Sequence, residues 1–248
     1  ASLEEISLPE SLTSIDSSAF YNCKSLESIT IPSNVTEIGD YAFSGCTSIE
    51  TVIIGDSVTD IGNGAFEYCR NLQSVTMGSN VVYVQDYAFY TCESLIDVCL
   101  SPATRFIWDF AFAHCTALKN VCVPLSLTTI DRCAFYDCPA LTNVIYAGQL
   151  ADRNAISINS QANDDIKNAT WHYNNGLTYT ISGQNLTITG VHAAFSGALG
   201  IPATIQGYSV TAVGTNAFEK AAITSVSLPE SITAIGTDAF WFCDTLAS

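Results

Sequence analysis

Positive charge is scarce in this sequence. Eight Lys and Arg stand against 24 Asp and Glu, for a net charge of −16. A polyanion would be repelled and no basic cluster interrupts the acidic background, so nucleic acid and anionic membrane are poor partners. Long apolar runs are missing too. The longest is five residues, 239–243, where a spanning helix needs about 20, so membrane insertion is not expected. Three His and one Met leave little for metal or redox chemistry. Nucleophile elbow, P-loop, dinucleotide fingerprint, His-Glu-x-x-His and calcium-loop motifs are all absent, so neither an enzyme nor a cofactor is expected. Charged residues make up only 13% against 48% hydrophobic, the reverse of a disordered chain.

What is abundant is repetition. Ala-Phe recurs at Phe20, Phe43, Phe66, Phe89, Phe112 and Phe135, always 23 residues apart. Three residues after each Phe comes Cys, from Cys23 to Cys138, and six after comes Leu or Ile. Nine after comes Ile or Val, as does the position five before. Within a unit, Leu26-x-x-Ile29-x-Ile31 alternates as a strand with one buried face. Pro9, Pro32, Gly55, Gly78 and Pro124 break such strands. A second short strand follows, with Val35 and Ile38 inward. Asp40, Asn63, Asp86 and Asp109 precede Ala-Phe where an N-cap would start a brief helical turn. One unit cannot bury its apolar face alone, whereas stacked units can. The fold class is therefore a solenoid with a parallel β ladder on one face, short second strands and short helical turns. The L-x-x-L-x-L spacing in a 23-residue period is a leucine-rich-repeat signature. Its Asn position is kept as Asn34 and Asn80 but is Ser11, Ser57, Ser126 and Ser231 elsewhere, so a backbone-bonding ladder there is only partly kept.

Units such as SLESITIPSNVTEIGDYAFSGC resemble the BspA-like (Treponema-type) leucine-rich repeats, through IP, V-x-x-I-G and AF-x-x-C in fixed register over residues 1–147 and about 199–248. The resemblance implies a secreted or cell-surface protein, bacterial or protist, that adheres or binds protein and does not catalyse. The implied partner is a host or bacterial surface protein or a glycan. The chain opens and stops mid-unit without start Met, signal or anchor, as an excised fragment of a longer protein would. Nothing in the sequence sets its oligomeric state.

The period fails after Tyr146. Residues 148–176 are polar and irregular, with Leu150, Ile156, Ile158 and Trp171 spaced to form a short helix and a closing strand, and Asn174-Asn175-Gly176 as a hinge. A solenoid end is a sticky edge, which favours a cap; the alternative is a linker. Residues 177–181 and 186–189 alternate as a β-hairpin. The repeat resumes at Leu199, with an insertion before Phe218, so residues 177–248 hold a hairpin and the start of a second array. Asn34, Asn168 and Asn185 begin glycosylation sequons, relevant only to a eukaryotic source.

Of ten cysteines, seven share the repeat column, including Cys243. Stacked side by side with parallel Cβ vectors, they suit a ladder of free core thiols better than disulfides. Cys99 and Cys122, outward on adjacent coils, are the pair best placed to react or bond. No Cys-x-x-Cys supports zinc at His114 and Cys115.

Columns that are polar elsewhere turn aromatic in the fourth and fifth coils: Tyr83 and Phe106 six before Phe, Trp108 four before, and Tyr87 and Phe110 two before, where Tyr41 also appears in the second coil. These five residues are the candidate binding site, since an exposed aromatic patch marks recognition; contact with a neighbouring domain or the solenoid's own loops is the alternative. A second candidate is the concave strand face, whose short polar columns (Ser28 to Asn143, Thr30 to Ile145) could hold a peptide or glycan without chemistry. The overall expectation is an adhesin-like binding module, with a stiff spacer or an accessory domain of a surface enzyme as alternatives.

Overall fold

The computed structural model describes residues 3–148, 150–173, 176–192, 195–205 and 208–246. Strands recur every 23 residues and pair in parallel without slippage: Ser14↔Glu37, Glu37↔Asp60, Asp60↔Tyr83, Tyr83↔Phe106 and Phe106↔Thr129 in one sheet. Ser28↔Thr51, Thr51↔Ser74, Ser74↔Asp97 and Asp97↔Asn120 do the same in the other. Each sheet has seven strands. Each short strand hides its middle or last residue: Ile29, Val52, Val75 and Val98 from one sheet, Ile38, Ile61, Val84 and Ile107 from the other. Period-two alternation puts these on one side. The in-register stacking then lines each column into a continuous apolar file.

The phenylalanines form one such file. Successive rings from Phe20 to Phe135 stack face to face at 5.0–5.3 Å, 2–11° from parallel. Their spacing is close to the coil rise, because identical rotamers on identical backbones must repeat at the strand separation. The column cysteines are free, as expected. From the second coil on, each thiol donates to the phenylalanine carbonyl of the preceding coil, as Cys69 to Phe43 (3.2 Å) and Cys92 to Phe66 (3.3 Å). Cys99 and Cys122 are bonded as a disulfide across neighbouring strands.

The turn at Ala-Phe is not α-helical, which corrects one detail of the sequence reading. It is a run of overlapping turns with two left-handed residues per coil. These are Ser18, Tyr41, Gly64, Tyr87, Phe110 and Cys133 two before Phe, and Asn22, Gly45, Tyr68, Thr91, His114 and Asp137 two after (φ +55 to +74°). Two left-handed residues four positions apart turn the chain so that every second N–H points along the stack. Ser18, Phe20 and Asn22 donate to Asp40, Ala42 and Ser44 of the next coil at 2.7–2.8 Å, while Ala19, Tyr21 and Cys23 close turns within their own coil. A helix would direct every N–H inside its own coil and leave the edge of the stack unpaired. Likewise Asp40 and Asp86 do not cap a local turn. Their carboxylates accept from the next coil's Asn63 (2.7 Å) and Asp109 (2.9 Å). At the Asn position, Asn34, Asn80 and Ser126 all bond carbonyls of the preceding coil, so serine maintains part of that ladder too.

The chain forms two compact units, Ala1–Val144 with Ala151–Thr170, and Ile145–Leu150 with Trp171–Ser248. In the first, Ser157–Ile158 extends one sheet beyond Thr129–Ile130, and a five-residue helix, Asp164–Asn168, buries Ile166. The ladder ends on side chains. Asn163, fully buried, accepts from the Phe135 N–H (3.1 Å) and donates to the carbonyls of Asp131 (2.7 Å) and Asn159 (3.1 Å). Asp165 accepts from Cys138 N–H. These groups replace the carbonyls that a further coil would have presented.

In the second unit the expected hairpin is present, Thr178–Ser182 against Asn185–Gly190. Its second strand also pairs in parallel with Tyr208–Val213, which pairs with Ala234–Ile235, while Ser196–Gly200 pairs with Ala222–Ser227. Stacking thus restarts at Asn185, ahead of Leu199. A signal for this lies in the sequence: Ala194-Phe195 stands 23 residues before Ala217-Phe218, and Phe195 is buried. The insertion before Phe218 forms a small antiparallel pair, Thr204↔Ser209 and Ile205↔Tyr208. Trp171 meets Tyr146 edge-on at 5.8 Å. Of the hinge expected at 174–176, Asn174 and Asn175 lie outside the described residues.

Candidate binding surface

Positions six and four before Phe flank the buried residue of the two-residue strands and so point away from the core. Position two before is the first left-handed residue of the turn. The fifth coil puts rings at all three, and the fourth at two, with Gln85 four before Phe89. Tyr83 stacks on Phe106 at 5.4 Å, and Phe106 on Trp108 at 5.6 Å. Tyr87 stacks on Phe110 at 5.1 Å. Strand register brings Tyr83 and Phe106 together, and turn register brings Tyr87 and Phe110 together. No ring contact among the described residues joins the two groups. Tyr83 and Tyr87 are exposed; Phe106, Trp108 and Phe110 are half-buried by their neighbours.

Two cations flank the rings. The Arg105 guanidinium lies 5.5 Å from the Phe106 centroid and that of Arg132 5.6 Å from Phe110. Arg132 also pairs with Asp109 at 2.6 Å, which holds its guanidinium above its ordinary value. Burial pushes the Tyr87 phenol and the Asp86 carboxyl upward. The arrangement offers flat π surface with fixed polar groups at its rim, a surface for stacking and hydrogen bonding. Among the described residues the Trp108 indole nitrogen is buried without an acceptor. A lone buried donor costs about 1–3 kcal/mol. Trp108→Phe, which keeps a ring against Phe106, is therefore expected to leave the urea midpoint unchanged or raise it; a clear loss of stability would show that the indole N–H is satisfied.

The aromatic surface extends further than the five residues read from sequence. Tyr87 meets Tyr90 edge-on at 5.4 Å, and Tyr90 meets Tyr68 at 5.6 Å. His114 stands edge-on between Tyr90 and Tyr136, 5.3 Å from each, with Nδ1 2.8 Å from Asp137. These rings alternate between positions one and two after Phe, so no single column reveals them. Cys115, next to His114, turns inward and donates to the Phe89 carbonyl. Among the described residues no three His, Cys, Asp or Glu side chains are grouped to hold a metal.

The strand face of the other sheet carries a polar file. Asn143 donates to Asn120 (2.9 Å), which donates to the Asp97 carboxylate (2.5 Å). The adjoining column passes from exposed Thr30, Ile53 and Thr76 to buried Cys122 and Ile145, so only its early part is open.

A family model described as BspA type Leucine rich repeat region matches the chain in six copies, over residues 1–105, 83–163 and 164–248. A solved leucine-rich-repeat protein of T. pallidum is 26% identical with a TM-score of 0.55, covering 61% of this chain and 71% of that one. A leucine-rich cell-surface protein of Faecalibacterium prausnitzii is 28% identical (TM-score 0.49), covering 95% of this chain and 63% of that one. A leucine-rich-repeat protein of Eubacterium ventriosum is 23% identical (TM-score 0.45), covering 90% and 59%. The chain thus spans less than two thirds of the latter two proteins. No curated protein matches it.

Proposed function

The chain belongs to the BspA-type leucine-rich-repeat family, and from that premise we propose that it is a non-enzymatic, adhesin-like binding module of a secreted or cell-surface protein, recognising a protein or a glycan. The observation that carries this reading is the ring surface on coils four and five: Tyr83, Phe106 and Trp108 in one stack, Tyr87 and Phe110 in another. The strand-side columns of Tyr83, Phe106 and Trp108 hold Ser, Glu, Asp, Thr, Gly or Gln in the other coils of the first unit, so the repeat does not need large half-exposed rings there for packing. Aromatic faces with polar rims are what sugar rings and interface anchors require. The Cys99–Cys122 disulfide supports an oxidising, extracellular setting. Among the described residues no helix is long and apolar enough to cross a membrane. In this reading residues 1–147 are the presenting array, 148–176 its cap, and 177–248 the beginning of a second array.

The test is a glycan array together with immobilised extracellular proteins, comparing the native chain with the Phe106→Ala/Trp108→Ala variant. The variant is expected to lose at least about tenfold in affinity, as truncating two interface anchors does, with little change in melting temperature. Equal binding by the variant rejects the patch. Absence of any ligand would favour a second reading, a stiff spacer, for which the slip-free register of both sheets speaks.

A further inference from the structure

The turn edge of the first three coils carries a further feature, a shallow cavity of about 310 Å³ lined by Ser18, Tyr21, Tyr41, Ser44, Glu67 and Tyr68. Three tyrosines surround it, all exposed. Its floor depends on Gly64. A Cβ there would stand 2.6 Å from the Tyr41 ring and 3.1 Å from Glu67 Oε2. The ring and the carboxylate therefore converge over a position that has no side chain. Tyr41 and Tyr68 owe their directions to left-handed backbone (φ 56° and 59°) that every coil adopts at these columns, so the stack itself holds the rings in place.

Glu67 differs from other acids along this edge. Asp109 pairs with Arg132, Asp137 with His114, and Glu93 with Arg70. Among the described residues Glu67 has no hydrogen-bond or ion-pair partner for its carboxylate. It is half-buried, and burial pushes its carboxyl above the ordinary value. A partly desolvated acid beside three ring faces is short of one thing, a cation: ring quadrupoles and carboxylate attract the same charge. Tyr68 already accepts one guanidinium, that of Arg70, 5.9 Å from its centroid.

We propose that this cavity receives the cationic side chain of a lysine or arginine presented by a partner protein. The cavity is open and shallow, suited to one protruding side chain. The chain's net charge of −16 would steer a basic surface towards it. The cavity touches the extended aromatic surface at Tyr68, but none of Tyr83, Tyr87, Phe106, Trp108 and Phe110 lines it, and it does not depend on that reading.

The experiment titrates acetyl-Gly-Lys-Gly-amide, acetyl-Gly-Arg-Gly-amide, the neutral acetyl-Gly-Gln-Gly-amide, and choline into the intact chain, following tyrosine ring protons by NMR. Saturable shifts at Tyr21, Tyr41 and Tyr68 are expected with the Lys or Arg peptide and not with the Gln peptide. Glu67→Gln, isosteric and half-exposed, should weaken binding about threefold or more, and Tyr41→Leu by a similar factor. Glu50→Gln, which removes the same charge at an exposed site elsewhere, should leave it unchanged. Binding should persist in Phe106→Ala/Trp108→Ala, so failure here and failure of the ring surface are told apart. The proposal is overturned by equal response to the Gln peptide, by no saturable response, by equal weakening in Glu50→Gln, or by choline binding without either peptide.

Discussion

Raising the pH from 9 to 10 should remove about 1 kcal/mol of stability through each of Cys46 and Cys115, and Cys69, Cys92 and Cys138 should act in the same direction, so the first unit is expected to weaken steeply above pH 9. Cys46, Cys69, Cys92, Cys115 and Cys138 are fully buried. Burial holds each thiol neutral: it pushes Cys46 and Cys115 up to about 12, and Cys69, Cys92 and Cys138 well above the ordinary 9.0. The unfolded chain ionises its thiols from about pH 9, while in the folded chain Cys46 and Cys115 retain their protons until about pH 12 and the other three well beyond the ordinary value. Between those values the unfolded state binds fewer protons, so stability falls as pH rises. Cys46 and Cys115 each account for about 1 kcal/mol between pH 9 and 10 and about 1.4 kcal/mol per pH unit beyond. Denaturant midpoints by circular dichroism at pH 7, 9, 9.5 and 10 measure the slope, and Cys115→Ala should make it shallower. A midpoint that stays level from pH 8 to 10.5 would refute the account. Thiol reagents at pH 7 should label these five only as fast as the coils open.

Phe89→Ala is expected to cost about 3–5 kcal/mol, the range for truncating a fully buried phenylalanine. Its ring is fully buried and stacks on Phe66 at 5.3 Å and Phe112 at 5.2 Å. In a solenoid, stability is roughly the sum of coil and nearest-neighbour terms. A gap at the fourth coil weakens two interfaces together and should let the first three coils open separately from those that follow. Hydrogen exchange should then show lowered protection for residues 14–77 relative to 95–146. Phe20→Ala, at a half-exposed ring with one described neighbour in the file, should cost markedly less. If the two variants cost the same, the file is not a cooperative stack.

Much of the fold is legible because the repeat makes six copies of one experiment. A column of Phe, Cys, Leu and Val at a single period permits one solution in which all copies bury the same atoms. What proved harder follows from the same physics. The Ala-Phe turn looks helical since Ala42, Phe43 and Cys46 share spacing with a helix face. Only the demand of the next coil for N–H donors imposes the two left-handed residues of each turn, and that demand is not local. Phe195 is harder to read because its coil is shorter on the strand side: Ser196 begins a strand at once, whereas three residues separate Phe218 from Ala222.

The candidate surfaces divide similarly. Tyr83, Phe106 and Trp108 could be read from aromatic substitutions in polar columns. The chain Tyr68–Tyr90–His114–Tyr136 could not, because its members come from two columns that interleave only when coils stack. The Glu67 cavity has no motif, for it exists where Gly64 omits a side chain and Tyr41 from the preceding coil leans across. By itself the sequence determined the period, the inward columns and therefore a stacked solenoid with a dry interior, because burying a repeated apolar pattern is a local requirement imposed identically on every unit. The tertiary structure alone decided how the turns bond, how the ladder ends on Asn163, where the second stack begins, and which rings and acids meet at the turn edge, because each of these depends on what an adjacent coil offers across about 5 Å.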